Sequence, residues 1–296
     1  MRIAVTGKAG QIVTSLIDRG GAAGHEMIAL GRPELDLADP ASVFRALEAA
    51  VPDAIVSAAA YTAVDKAESE SELAHAVNGP GARAVGEAAK TLGVPLVHIS
   101  TDYVFGGMLG RPYLETDPTG PTAVYGASKL AGEQAVLTTH GNNSAVLRVA
   151  WVYSPFGANF VKTMLRLAGD RDEVSVVADQ LGNPTSALDI ADGIIQVAAN
   201  LLADSDPQLR GVFHMTASGE ASWADFAEAI FAASALRGGP SAQVKRITTA
   251  DYPTPAIRPA NSRLDCGLIA RVHGVALPDW HQSLKTVMAR LQPAAD

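Results

Sequence analysis

The chain has 296 residues, enough for one large domain or a large domain carrying a smaller one. Hydrophobic residues make up 48% and charged residues 18%, a balance that excludes a disordered chain and supplies a buried core. The net charge of −8 is spread without a basic block, which argues against nonspecific nucleic-acid binding but leaves room for a diphosphate ligand held by a few local cations.

Residues 3–6 read as a first strand. The apolar N-terminus breaks at Thr6-Gly7, too early for a signal peptide, and no apolar run is long enough to cross a bilayer. A cytoplasmic protein with no membrane partner is therefore expected. Thr6-Gly7-Lys8-Ala9-Gly10-Gln11-Ile12 follows the strand and opens a helix over 11–19. Gly7 can make a tight turn there, and Gly10 can let the amides of the helix start, at Gln11 and Ile12, approach a dinucleotide pyrophosphate. Val13 stands where a third glycine would favour close helix–strand packing, so a slightly displaced helix is expected. Glycine turns between strand and helix also occur without any ligand.

A second strand over 27–30 ends in Leu30-Gly31-Arg32. An acidic residue at that point would bind the adenosine ribose of NAD, whereas Arg32 can pair with the 2′-phosphate of NADP. NADPH is accordingly the expected cofactor, with NADH possible; the alternative for Arg32 is a solvated turn residue. Asp36 and Leu37 can line an adenine pocket, or Asp36 can cap a helix over 40–50.

A third strand over 53–59, a helix over 75–92 and a fourth strand over 96–100 follow. Ser100-Thr101-Asp102 ends that fourth strand. Some two dozen residues on comes Tyr125-Gly126-Ala127-Ser128-Lys129, leading into a helix over 128–138. On a helix the i, i+4 spacing puts Tyr125 and Lys129 on one face, where the ammonium can favour the phenolate of a tyrosine whose ordinary pKa is ~10. Thr101 can hydrogen-bond a substrate oxygen beside Tyr125; Tyr125 and Lys129 are also expected to contact the cofactor, Lys129 at the nicotinamide ribose. A Tyr-x-x-x-Lys pair is weak alone; with a glycine loop and a Ser/Thr strand end it points to hydride transfer to a carbonyl.

A strand over 144–149 completes the first half. Strands alternating with helices predict a Rossmann-type, doubly wound parallel sheet. Later come a strand over 174–177, a helix over 188–202, a strand over 212–216 and a helix over 223–233 capped by Ser222. The Pro-rich run from Tyr252 to Pro259 reads as a shaped loop. The expected division is a dinucleotide-binding domain over 1–170, with returning segments near 186–217. A smaller, partly discontinuous substrate lobe takes 218–296 plus 171–185. Cys266 is the single cysteine, so no intrachain disulfide is possible, and it reads as a buried filler. No cluster of metal-ligating residues or hydrolase elbow is visible, and no metal is expected.

Longer stretches narrow the reading. Ala58-Ala59-Ala60-Tyr61-Thr62-Ala63-Val64-Asp65-Lys66-Ala67-Glu68, Ile99-Ser100-Thr101-Asp102-Tyr103-Val104-Phe105 and Leu147-Arg148-Val149-Ala150-Trp151-Val152-Tyr153-Ser154 resemble the dTDP-4-dehydrorhamnose reductase family of extended short-chain dehydrogenases. So do Gly157-Ala158-Asn159-Phe160, Asp179-Gln180-Leu181-Gly182-Asn183-Pro184-Thr185 and Arg258-Pro259-Ala260-Asn261-Ser262-Arg263-Leu264.

The resemblance implies NADPH- or NADH-dependent reduction of the 4-keto group of a dTDP-linked 6-deoxy sugar. Tyr125 would be the proton donor, Thr101 would orient the oxygen and Lys129 would assist. It also implies that Ala59, Ala60 and Tyr61 pass close to the cofactor, and that Thr62, Val64, Asp102 and Trp151 sit at the sugar, although Trp151 also suits a core aromatic. Lys162, Arg258 and Arg263 are candidates for the substrate diphosphate, or else partners in exposed salt bridges. Gly107 stands where the family often has Asp, and Ser15 stands where some members hold a dimer-bridging magnesium with Glu. A monomer or homodimer is expected. Two other readings share the fold: a different extended short-chain reductase or epimerase, and a non-catalytic regulatory subunit that binds NADP.

Overall fold

The computed structural model describes residues 1–292. Strands β1 (Arg2–Thr6), β2 (Glu26–Leu30), β3 (Ala54–Ser57), β4 (Leu96–Thr101) and β5 (Ser144–Val149) join a strand over Gly211–His214 in one sheet. Its order is β2-β1-β3-β4-β5 followed by Gly211–His214, and every neighbouring pair is parallel. The order reverses between β1 and β3. That reversal opens a crevice beyond their carboxyl ends, because the crossovers leaving β1 (to β2) and β3 (to β4) run in opposite directions.

Interior strands of such a sheet are covered on both faces, and all residues of β3, β4 and β5 are buried. Alternate side chains feed two cores. Ile3, Val5, Val56, Val97 and Leu147 pack with Leu16 of α1 (Gln11–Ala22) and Ile190 and Ile194 further along the chain. Ala4, Ile55, Leu96 and Val146 face the other way, toward α2 (Pro40–Ala50) and the elements that follow β3. Those are the short α3 (Val64–Ala67), α4 (Ser71–Asn78) and α5 (Pro80–Leu92). The single helix expected over 75–92 is thus two, broken at Gly79-Pro80, because proline cannot donate the next helical hydrogen bond. Helix α6 (Val124–His140) begins earlier than expected, which places Tyr125 in its first turn.

A third core lies beside these two. It joins Tyr153 to Val161 and Met164 of α7 (Phe160–Ala168), to Val174 and Val176, and to residues of later helices. After α8 (Ala187–Ala203) come α9 (Trp223–Ala235), α10 (Gly267–His273) and α11 (Trp280–Leu291). Phe226 and Ile230 of α9 and Trp280, Leu284 and Val287 of α11 close this core. The smaller lobe also has its own parallel pair, Glu173–Val177 with Gln243–Ile247. Helix α7 packs in this core against Glu173–Val177 and α9. Ser222 caps α9 as expected, its hydroxyl accepting from Asp225 N and the Asp225 carboxylate accepting from Ser222 N, a reciprocal capping box. Among the described residues, no helix is long and apolar enough to cross a membrane.

Candidate active site

A cleft of about 670 Å³ lies over the carboxyl ends of β1, β3, β4 and β5. A second cavity of about 570 Å³ continues past the end of β2, and the two share Gly7, Ala59 and Ala60. The groove is therefore long, with its waist at the β1/β3 reversal. The Thr6 hydroxyl shapes that waist by accepting hydrogen bonds from Ala58 N and Ala59 N, both at 3.0 Å.

At the waist Gly7 has φ +105°, a conformation that glycine adopts without strain, and its missing Cβ leaves room for Val13 Cγ2. Helix α1 starts at Gly10 with no side-chain cap and no acidic residue in its first turn. Uncapped amides at the positive end of a helix dipole fit a diphosphate, so the residues present suit a dinucleotide. Leu35, Leu37, Leu73 and Val77 line the second cavity, an apolar slot of the kind an adenine ring needs. Arg32 lines it too, together with Lys8, whose ammonium is paired with Glu34. These two cations would hold the 2′-phosphate of NADP.

Thr101, Tyr125 and Lys129 meet at the wall of the larger cleft. Helix α6 can bring its first turn this close because Gly126 has no side chain: a Cβ there would stand 2.2 Å from the Tyr103 carbonyl oxygen. Asn78, buried at the end of α4, ties the helix to the cofactor side. Its Oδ1 accepts from Tyr61 N at 2.8 Å, and its Nδ2 donates to Tyr61 O at 3.0 Å and to Ser128 Oγ at 2.9 Å. Ser128 Oγ in turn donates to Tyr125 O at 2.8 Å.

Burial dominates the electrostatics. It pushes the Tyr125 phenol well above its ordinary range, with the Thr101 hydroxyl pulling the other way. The phenolate-favouring influence expected of Lys129 is not among the causes of this shift, which desolvation dominates. Burial also pulls the Lys129 ammonium down to about 8, with Glu133 opposing it; Nζ donates to the Ile99 carbonyl at 2.7 Å. Asp102 is buried and raised to about 6 by desolvation, against hydrogen bonds from Ser262 and Thr101, the latter at 3.0 Å. Tyr103, edge-on to Tyr125, is lifted to about 12 by burial.

Opposite this wall stands an aromatic one. Trp151, at φ +46°, stacks on Trp223 with centroids 3.6 Å apart, and Phe160 leans on Trp223 at 4.7 Å. Gly182 gives the indole its space: a Cβ there would lie 2.4 Å from Trp151 Cε2. Arg258 reaches the rim from the Pro-rich loop, held at 2.7 Å by Asp65 of α3.

Comparison with known proteins follows the same lines. The family model described as "RmlD substrate binding domain" matches residues 1–293. The chain belongs to that family. A dTDP-4-dehydrorhamnose reductase of Sinorhizobium fredii is 52% identical over 97% of both chains. A solved dTDP-4-dehydrorhamnose reductase of Clostridium acetobutylicum superposes with a TM-score of 0.91 at 34% identity, over 99% of this chain and 100% of that one. The Bacillus anthracis reductase, solved in complex with NADP, gives 0.89 at 35%, over 97% and 98%.

Within this RmlD-family chain, the sequence-predicted residues fall into three groups. Gly7, Gly10, Gln11, Ile12, Ala59, Ala60, Thr62, Val64, Thr101, Asp102, Tyr125, Lys129, Trp151 and Arg258 line the larger cleft. Arg32, Asp36, Leu37 and Tyr61 line the second cavity. Lys162 and Arg263 line neither. Arg263 is committed to Glu220 at 2.9 Å, to Asn261 and to the Gly110 carbonyl, which leaves its guanidinium no free fork for a diphosphate. Cys266 is half-buried, with its thiol against Thr216. Trp223, Phe160, Tyr103 and Lys8 line the groove without having been singled out. Lys8 lay inside the glycine loop and was legible there; Trp223 belongs to a distant helix start, and nothing local marks it.

Proposed function

We propose that the chain reduces the 4-keto group of dTDP-4-dehydro-L-rhamnose to give dTDP-L-rhamnose, with NADPH as the donor. The observation that carries this is the convergence of Thr101, Tyr125 and Lys129 on one wall of a groove that continues into a dinucleotide cradle. Family membership and the names of the relatives support the substrate. The Bacillus anthracis complex and the Arg32–Lys8 pair of cations support the cofactor. The aromatic wall suits the apolar faces and methyl group of a 6-deoxy sugar.

When bound, NADPH supplies the hydride. Tyr125 holds the proton: its raised pKa keeps the phenol neutral at physiological pH, as a donor to a nascent alkoxide must be. Thr101 turns its single hydroxyl proton from Asp102 to the carbonyl oxygen, since a hydroxyl can donate only once. Lys129, fixed on the Ile99 carbonyl beneath the cleft, remains an ammonium near neutral pH. It orients the ribose of the cofactor and supports the phenol electrostatically.

The test is product analysis. Purified protein with dTDP-4-dehydro-L-rhamnose and NADPH should oxidise one cofactor for each dTDP-L-rhamnose formed. Interconversion of sugars without net cofactor oxidation would instead mark an epimerase.

A further inference from the structure

Gln11 lines the cleft at the first residue of α1, yet its side chain is committed elsewhere. Its Oε1 accepts from Ser154 Oγ at 2.8 Å and from Asn159 Nδ2 at 3.0 Å, and its Nε2 donates to the Val152 carbonyl at 3.3 Å. All three partners lie on one segment, a short strand at Val152–Tyr153 and the loop after it, that joins Trp151 to Phe160, and both of those rings line the cleft. Asn159 stiffens the loop by donating to Ser154 O at 2.8 Å, and it caps α7 by accepting from Lys162 N. One amide side chain thus links the dinucleotide cradle of the larger lobe to the aromatic wall of the smaller one.

We propose that Gln11 is a positioning residue that couples occupation of the dinucleotide cradle to affinity for the nucleoside-diphosphate sugar. This rests on the function proposed above. The backbone amide of Gln11 belongs to the helix rim suited to the cofactor diphosphate, and its side chain carries the loop that places Trp151 and Phe160. A ligand that fixes the rim fixes the loop, so the second ligand meets a wall already ordered. By linkage the effect is reciprocal. The Ser154 proton is shared between Gln11 Oε1 and Phe156 O, each at 2.8 Å, and together with the Asn159 and Val152 hydrogen bonds this bridge supports a coupling factor on the order of tenfold.

Calorimetry with NADPH and dTDP-L-rhamnose reads this directly, because reduced cofactor and reduced sugar cannot react. For the unaltered protein, saturating NADPH should tighten dTDP-L-rhamnose binding roughly tenfold. At saturating NADPH, Gln11→Leu should cut that ratio to roughly twofold or less. Ser154→Ala, on the far side of the bridge, should also lower the ratio, and the double variant should lower it no further than Gln11→Leu. Gln11→Glu keeps an acceptor for Ser154 and Asn159 and should retain coupling, even if its charge weakens NADPH. An unchanged ratio in Gln11→Leu, or no coupling in the unaltered protein, overturns the proposal. Failure of the unaltered protein to bind either ligand would instead overturn the functional assignment itself.

Discussion

Two buried ionisable groups set the chemistry of the cleft at the scale of single residues, and they titrate on either side of neutrality. Asp102 holds its proton more tightly in the fold than in the unfolded chain, since burial lifts it to about 6. Its contribution to stability is therefore full below the ordinary carboxylate range and declines as pH rises through about 6. Asp102→Asn should remove that decline. Melting temperature followed from pH 4 to 8 should fall less steeply in the variant, which should gain about 1–3 kcal/mol of relative stability at pH 7.5. Identical pH profiles would refute the assignment. Lys129 lies on the other side, lowered to about 8 by burial and held there by Glu133. Because the ammonium is the working form, kcat/KM for reduction should be full below about 8 and fall above it. Glu133→Gln removes the opposing charge and should move that alkaline limb to lower pH. A limb that stays in place would separate Lys129 from the pH dependence.

At the scale of elements, the position of α6 matters most, and it is fixed from both ends. Gly126 lets its first turn sit on the Tyr103 carbonyl, while further along Glu133 takes Arg148 of β5 in a bidentate pair, at 2.9 and 2.7 Å, with both side chains buried. A methyl group at Gly126 meets backbone that cannot retreat. Gly126→Ala should cost about 1–3 kcal/mol in urea unfolding and should lower kcat at least about tenfold, because a displacement of this order disrupts proton donation. Full activity in a stable variant would show that the tight approach is dispensable. The sequence already showed that Tyr125 and Lys129 share a helix face, since i, i+4 spacing is local. It also showed β5 and α2 with their observed bounds, where apolar runs end at clear breaks. The Asn78 link between Tyr61 and Ser128 was not legible, nor was the Trp151–Trp223 stack. Both join residues that are not neighbours in the chain, and nothing in the local pattern around them marks a partner. Helix α11 carries a local signal of its own, since Trp280, Leu284 and Val287 follow helical spacing.

For the whole molecule, one groove gathers residues from the sheet and from the core that α7 and α9 share. β4 and α6 bring Thr101, Tyr125 and Lys129 to it, and α7 and α9 bring Phe160 and Trp223. The glycine loop, the Ser100-Thr101-Asp102 strand end and the Tyr125–Lys129 pair predicted that cradle because each sits beside its own strand. The wall depends on how α7 and α9 pack, which no local pattern encodes. Arg263 illustrates the limit: its residue type suited a diphosphate, and only the packing reveals its commitment to Glu220 and Asn261.

The central claim is that the phenol of Tyr125 delivers the proton in a site whose cofactor cradle is independent of it. The most direct measurement pairs NADPH binding with turnover of dTDP-4-dehydro-L-rhamnose in Tyr125→Phe. The account predicts that kcat falls by roughly 10²–10⁴ while NADPH affinity stays within about threefold, since only proton transfer is lost. Turnover in the variant close to that of the unaltered protein would contradict it.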